Sequence, residues 1–200
     1  MKTLRLPFYL LLCLGLLAWT GCGDDEDDLL IETLNYDGPN ETAPLTTASV
    51  YAAYFPPNQV APFQGRSLEA VNFVLASLPP ETRVIVYDEG DTQTAPGDVL
   101  YESPNLNGRI NNSFGLGNFI THRLSTPVEL GDRGVWIGIS TGIEPFAVDR
   151  SQTVGCDAEG NGVENGDWLL VDNNWISFFD LTGEQSAVNW NIRGVISPEQ

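Results

Sequence analysis

Lysine is absent after Lys2, histidine occurs once, at His122, and only three cysteines interrupt a chain of 200 residues. Each shortage closes off a class of function. With so few cationic side chains against 27 acidic ones, and a formal charge of −18, the surface repels phosphate backbones and anionic headgroups. Nucleic acid is therefore not a partner. A lone histidine cannot build a histidine-based metal centre, and no Gly-x-Ser-x-Gly elbow supplies it with a nucleophile. So few cysteines leave no disulfide framework. No segment sustains a helical period, which points to a sheet-based domain. The longest apolar run, Leu6 to Leu17, is shorter than the roughly 20 residues that a membrane helix needs.

What is present begins with an address. Lys2 and Arg5 precede that apolar run, and the small residues Thr20 and Gly21 follow it, the three parts of a secretory signal. The stretch Leu17-Ala18-Trp19-Thr20-Gly21-Cys22 resembles a lipobox, with Trp19 where such boxes usually carry leucine. The resemblance implies that residues 1–21 are removed and that Cys22 is acylated and becomes the N-terminus. The other reading is an ordinary signal cut near Thr20. Each buried methylene contributes about 0.8 kcal/mol, so a multiply acylated Cys22 would hold the chain on a bilayer. Gly23, rather than aspartate, follows the cysteine, and the run Asp24 to Asp28 looks like the export tags of surface lipoproteins. Both features point to the outer membrane, with the domain facing outward. Without the signal, seven arginines face all 27 acidic residues. That balance suits either a high-salt habitat or a plain acidic envelope protein. With Cys22 acylated, Cys156 has no partner and reads as a small buried hydrophobe, a reactive thiol being the alternative.

Residues 22–46 are acidic, then rich in Asn, Pro, Thr and Gly, and read as a disordered tether. From residue 47 to 200 short β-branched and aromatic runs alternate with Gly, Pro, Asn and Asp, and thirteen prolines and twenty glycines supply the turns. Nine strands are expected: Ser49 to Phe55, Ser67 to Ala76, Arg83 to Tyr87, Val99 to Glu102, Phe119 to Leu124, Gly134 to Ser140, Trp168 to Val171, Trp175 to Phe179 and Val188 to Ile196. Such a count without intervening helices predicts an all-β fold, an antiparallel β-sandwich of jelly-roll type.

Several of these segments look familiar together: Ala52-Ala53-Tyr54-Phe55, Phe63-Gln64-Gly65-Arg66-Ser67-Leu68, Leu124-Ser125-Thr126-Pro127-Val128, Val135-Trp136-Ile137-Gly138-Ile139 and Asn189-Trp190-Asn191-Ile192-Arg193-Gly194-Val195. They resemble the jelly-roll accessory modules of secreted and surface bacterial proteins, akin to gingipain-type cleaved-adhesin domains. The resemblance spans most of residues 48 to 197, and its motifs describe strands and corners. It implies binding or adhesion rather than catalysis.

Few residues offer chemistry. His122 shares a strand face with Ile120 and Leu124, as a hydrogen-bonded, half-buried histidine does. A two-carboxylate hydrolase stays open, because many acidic pairs exist and sequence does not show which meet. In Asp157-Ala158-Glu159-Gly160-Asn161-Gly162 oxygen ligands fall two apart before a glycine, so Asp157, Glu159, Asn161 and Asp167 are candidate calcium ligands. The twelfth position is Trp168, with Asp167 one place early, and the alternative is a glycine-rich hairpin loop with solvated carboxylates. Trp136, Trp168, Trp175 and Trp190 lie in strand regions, where tryptophan is usually core. Trp175, beside Asn173 and Asn174 at a turn, is the one placed to meet a ligand. The sequence thus predicts a lipid-anchored, non-catalytic surface module that recognises a protein or glycan. A structural envelope lipoprotein without a dedicated ligand is the second reading, and a carboxylate-based hydrolase the third.

Overall fold

The computed structural model describes residues 32–36, 38, 42–110, 113–144, 147, 151–157, 164–183 and 188–199. Cys22, Glu159 and Asn161 lie outside the described residues. The strands are β1 (Thr33–Leu34), β2 (Leu45–Thr46), β3 (Val50–Phe55), β4 (Ser67–Phe73), β5 (Arg83–Asp88), β6 (Val99–Glu102), β7 (Ile120–Glu129), β8 (Val135–Ser140), β9 (Ser151–Gln152), β10 (Trp168–Val171), β11 (Asn174–Ser177) and β12 (Ile192–Ile196). All nine expected strands are present, and the all-β sandwich is the observed class.

The connectivity is that of a jelly roll. One sheet runs β1-β12-β4-β7 and the other β11-β10-β3-β8-β5-β6, every pairing antiparallel. With β2, β9 and the β10–β11 hairpin set aside, eight strands remain. Counted in chain order they fall as 1-8-3-6 in one sheet and 2-7-4-5 in the other. This interleaving is two Greek keys wound into one another. The β10–β11 hairpin then widens the second sheet beyond β3. Its turn, Asp172-Asn173, has φ of 51° and 63°, the paired left-handed conformation of a two-residue hairpin turn, which Asp and Asn tolerate best after glycine.

Residues expected in the tether enter the sandwich. Thr33–Leu34 pairs with Val195 and Gly194 of β12 and is the first strand of the jelly roll. Leu45–Thr46 pairs with β9, and the Tyr36 ring stacks on Phe55 at 4.9 Å. Two-residue strands carry no alternation to read, so the domain begins well before residue 47. Other boundaries move as well, and β4 ends at Phe73 rather than Ala76. Strand β7 continues past Leu124 to Glu129, and Pro127 is tolerated because β7 lies at a sheet edge, where a missing donor costs nothing. Phe178 and Phe179 leave the expected strand for a short helix, Phe178–Thr182, capped when Ser177 Oγ accepts from Asp180 N at 3.0 Å and closed by left-handed Gly183. Residues 188–191 approach β12 as irregular backbone, with Trp190 bridged to Cys156.

The inter-sheet core holds Tyr51, Phe55, Leu68, Phe73, Ile137, Ile139, Leu169, Trp190 and Ile192, all fully buried. Gly194 in β12 faces this core. A Cβ there would come within 2.7 Å of both Ile137 and Leu68, so a bare backbone is what lets the two sheets close.

Candidate functional site

Strand β3 has two apolar faces. Tyr51, Ala53 and Phe55 point into the inter-sheet core, while Val50, Ala52 and Tyr54 belong to a second cluster with Trp136 and Trp168. Register explains why these residues meet. Trp168 sits opposite Ala52, Tyr54 opposite Trp136, Trp136 opposite Tyr87, and Leu170 opposite Trp175. Period-two alternation therefore sends all of them to the outer face of the six-stranded sheet.

The rings pack on one another. Trp136 lies 4.9 Å from Tyr54, 5.3 Å from Trp168 and 5.5 Å from Trp175, and Trp175 meets Tyr87 edge-on at 6.1 Å. Trp136 is fully covered by this arrangement, Trp168 is 9% exposed, and Trp175 is half-buried. Trp190 belongs to the inter-sheet core and donates Nε1–H to Trp168 O at 3.0 Å. The indole N–H groups of Trp136 and Trp168 have no acceptor among the described residues. At the Tyr54 end, the phenol donates to Glu89 Oε1, and Glu89 Oε2 accepts from Gly134 N at 3.2 Å. Burial, then the Glu89 hydrogen bond and charge, push the Tyr54 phenol well above its ordinary pKa.

At the Trp168 end the cluster opens on a cavity of about 450 Å³. Trp168 and Phe179 give it apolar walls, Glu164, Asp167 and Asp180 bring carboxylates, and Gln93 and Asn165 bring amides. Ser177, Thr94 and Val188 complete the lining. Four segments distant in sequence build it. The β5–β6 loop supplies Gln93 and Thr94, and the approach to β10 supplies Glu164 to Trp168. The short helix after β11 adds Phe179 and Asp180, and the segment before β12 adds Val188. Asp167 is 6% exposed, and its Oδ2 accepts from Phe179 N at 2.9 Å. Burial raises its pKa most, backbone hydrogen bonds from Phe179 and from its own N–H oppose this, and the charge of Asp180 adds to the rise.

Asp157 does different work. It is 1% exposed, and its carboxylate accepts from Asn189 N at 2.7 Å, Asn189 Nδ2 at 2.8 Å and Gly38 N at 3.3 Å. Both oxygens are thus committed to amide donors. Asn189 itself packs so tightly on Gly166 that a Cβ at that position would lie 2.2 Å from its side-chain oxygen. Of the residues proposed as calcium ligands, Asp157 and Asp167 hold separate hydrogen-bond partners. Among the described residues no group of three or more His, Cys, Asp or Glu side chains gathers around one point.

His122 and Cys156 do not meet. His122 Nε2 is 2.7 Å from Tyr101 Oη, across the gap between the two sheets. Cys156 is fully buried and free, bridged through its backbone to Thr42 and Trp190, and burial followed by the charge of Asp157 pushes its thiol up to about 12. A thiol held so far from ionisation is no nucleophile at neutral pH. Trp175, singled out from sequence, sits on the outer aromatic face but not on the cavity wall. Trp168 and Phe179 are the aromatic residues on that wall, and their convergence with Gln93 leaves no trace in local sequence.

Fold and site together define an all-β jelly-roll sandwich with an aromatic outer face. No protein-family model and no curated protein matches the chain. Among solved structures it is similar to a clostridial cysteine protease, Cwp84, after propeptide cleavage. The identity is 13% and the TM-score 0.55, over 84% of this chain and 40% of that one. A second structure, of the cysteine protease and lectin-like domains of Cwp84, a surface layer associated protein of Clostridium difficile, aligns over 78% of this chain and 33% of its own. Its identity is 13% and its TM-score 0.48. This chain therefore spans well under half of the proteins it matches, and the likeness is one of fold.

Proposed function

We propose that this protein is a lipid-anchored, non-catalytic cell-surface module that binds a glycan on the outer face of its six-stranded sheet. The observation that carries the reading is the aromatic face itself. Tyr54, Tyr87, Trp136, Trp168 and Trp175 form a second apolar cluster outside the inter-sheet core. A sheet that needed only stability would present polar residues there. Instead the cluster ends in a cavity with aromatic walls and hydroxyl-seeking carboxylates and amides, the mixture that suits sugar rings. The cavity and the half-buried Trp175 favour a binding role over a purely structural envelope role. Cwp84, similar in fold, is described as surface layer associated, which suits a glycan ligand at a cell surface. Acylation of Cys22 would supply the anchor.

The test is a glycan array probed with the purified full chain, followed by titration of any hit against tryptophan fluorescence. Phe179→Ala and Trp175→Ala should each weaken binding by about tenfold or more, near 1.4 kcal/mol. An array without hits, or hits insensitive to both substitutions, would overturn the assignment. A carboxylate-based hydrolase is the second reading, favoured by Asp167 and Asp180 on one cavity wall, where burial above all, and then the charge of Asp180, raise the Asp167 pKa. New reducing ends released from a bound glycan would establish it.

A further inference from the structure

The described residues include six arginines, and their placement is not uniform. Arg66, Arg83 and Arg133 each pair with a carboxylate. Arg109 and Arg123 make no ion pair among the described residues, and both line one cavity of about 440 Å³. This cavity lies between the short helix Asn107–Ile110, with Leu106 before it and Ser113 after it, and the start of β7 from Phe119 to Arg123. His122 forms part of its wall, held through Nε2 by Tyr101, and Nδ1 makes no hydrogen bond among the described residues. Phe119 lines it as well, with the Arg193 guanidinium 4.0 Å from its ring centroid. Ser113 and Thr121 add hydroxyls, and no described lining residue is acidic.

In a chain with three times as many acidic as basic residues, a cavity with two arginines, a histidine and no carboxylate is a local reversal of field. Surface arginines on such a protein find carboxylates easily, as Arg66, Arg83 and Arg133 do. Keeping Arg109 and Arg123 apart from them leaves two forked donors and their charge available to an incoming anion. From this we propose that the cavity between the short helix Asn107–Ile110 and β7 is an oxyanion site, taking the carboxylate or sulfate group of a ligand between Arg109 and Arg123, with the Ser113 and Thr121 hydroxyls beside it. This site stands apart from the aromatic face.

His122 is the only histidine, so its ring resonances report on this cavity alone. Burial, and then the positive charge of Arg109, hold its pKa below the ordinary value. The charge acting on it is that of Arg109, and its hydrogen-bond partner is Tyr101. A bound anion would cancel part of the Arg109 repulsion of the imidazolium and raise that pKa. The experiment follows His122 by NMR in the full chain while sodium sulfate, sodium glucuronate or glucose is added at constant ionic strength. Saturable shifts with sulfate or glucuronate and an upward move of the titration midpoint are expected, and whichever anion binds more tightly identifies the ligand chemistry. Arg109→Gln with Arg123→Gln, both at exposed positions, should weaken the response at least about tenfold while the melting temperature holds. Sodium chloride reproducing the shift would mean screening or an adventitious ion only, and would overturn the proposal. So would equal shifts with glucose, or an undiminished response in the double variant. Glycan binding at Trp168 is read by tryptophan fluorescence, so either assignment can fail without the other.

Discussion

Replacing Asp157 with alanine separates a structural carboxylate from a calcium ligand. The carboxylate lies at a junction of three segments: Gly38 from the N-terminal strand region, Asp157 itself, and Asn189 before β12, whose Nδ2 also donates to Tyr36 O at 3.0 Å. Asp157→Ala removes two short hydrogen bonds and one long one, and leaves the Asn189 N–H buried without an acceptor. Hydrogen bonds to a charged group contribute about 1.5–3 kcal/mol each, and some relaxation is expected, so the net loss should be roughly 3–5 kcal/mol. For a domain of this size each kcal/mol moves the melting temperature by about 2–4 °C, so the variant should melt some ~10 °C lower. The assay is thermal melting of both proteins in chelator and in millimolar calcium. Because both Asp157 oxygens already accept amide protons, wild-type protein should melt at the same temperature in each buffer. A calcium site a hundredfold above its dissociation constant would instead add about 2.7 kcal/mol. A calcium-dependent stabilisation that Asp157→Ala abolishes would refute the reasoning, as would a loss below about 1 kcal/mol in chelator.

Three further outcomes are expected. Cys22→Ser should abolish incorporation of labelled fatty acid, and persistent incorporation would exclude Cys22 as the anchor. Asp167→Asn should remove a pH dependence. The folded protein holds the Asp167 proton more tightly than the unfolded chain does. This stabilising contribution is therefore full below the unfolded pKa near ~3.9 and is lost as pH rises through the raised folded value. Urea midpoints should show the variant gaining on wild type across that rise, and a gap constant with pH would contradict the assignment. A chain beginning at residue 47 should be less stable than one beginning at residue 30 by at least about 3 kcal/mol. It loses buried Leu34 and the Tyr36–Phe55 stack, and equal urea midpoints would show that β1 contributes nothing.

The fold was legible where alternation ran long enough to show a period. Strands such as Leu68-Glu69-Ala70-Val71 and Ile192-Arg193-Gly194-Val195 announce themselves, and the turn read beside Trp175 at Asn173 and Asn174 falls one residue earlier, at Asp172-Asn173. Thr33–Leu34 was not legible, since two residues have no period, and their assignment comes only from the ladder with β12. The Phe178–Phe179 pair extended an apparent strand, yet Ser177 three residues before Asp180 was a helix-start signal that apolar content masked. At the site, Trp175 could be picked out by its turn, whereas the cavity could not. Gln93, Asp167 and Phe179 belong to separate segments that only the sheet order brings together. The spacing of Asp157 and Asp167 suggested a shared ion, and nothing local in the sequence foretold that Asn189 would claim the first of them.

Burial alone did not identify the aromatic face. Tyr54 and Trp136 are as buried as Trp190, Trp168 is nearly so, and on exposure alone all four would be assigned to the core. Direction separates them. In Val50-Tyr51-Ala52-Ala53-Tyr54-Phe55 every residue is buried, so both faces of β3 are covered. One face meets the opposite sheet, as in any sandwich. Among the described residues the other has no sheet above it, and the rings packed on it belong to the same sheet, with Trp175 and Tyr87 at the margin and Trp136 beneath. A sheet that roofs its own outer face with indoles leaves the Trp136 and Trp168 N–H groups without acceptors among the described residues. That arrangement is a poor use of tryptophan for stability alone. It suits a face where the outermost rings meet a ligand and the inner ones hold them in place. Stability should therefore be most sensitive at Trp190 and Trp136, and binding at the rings nearest solvent, Trp175 and Phe179.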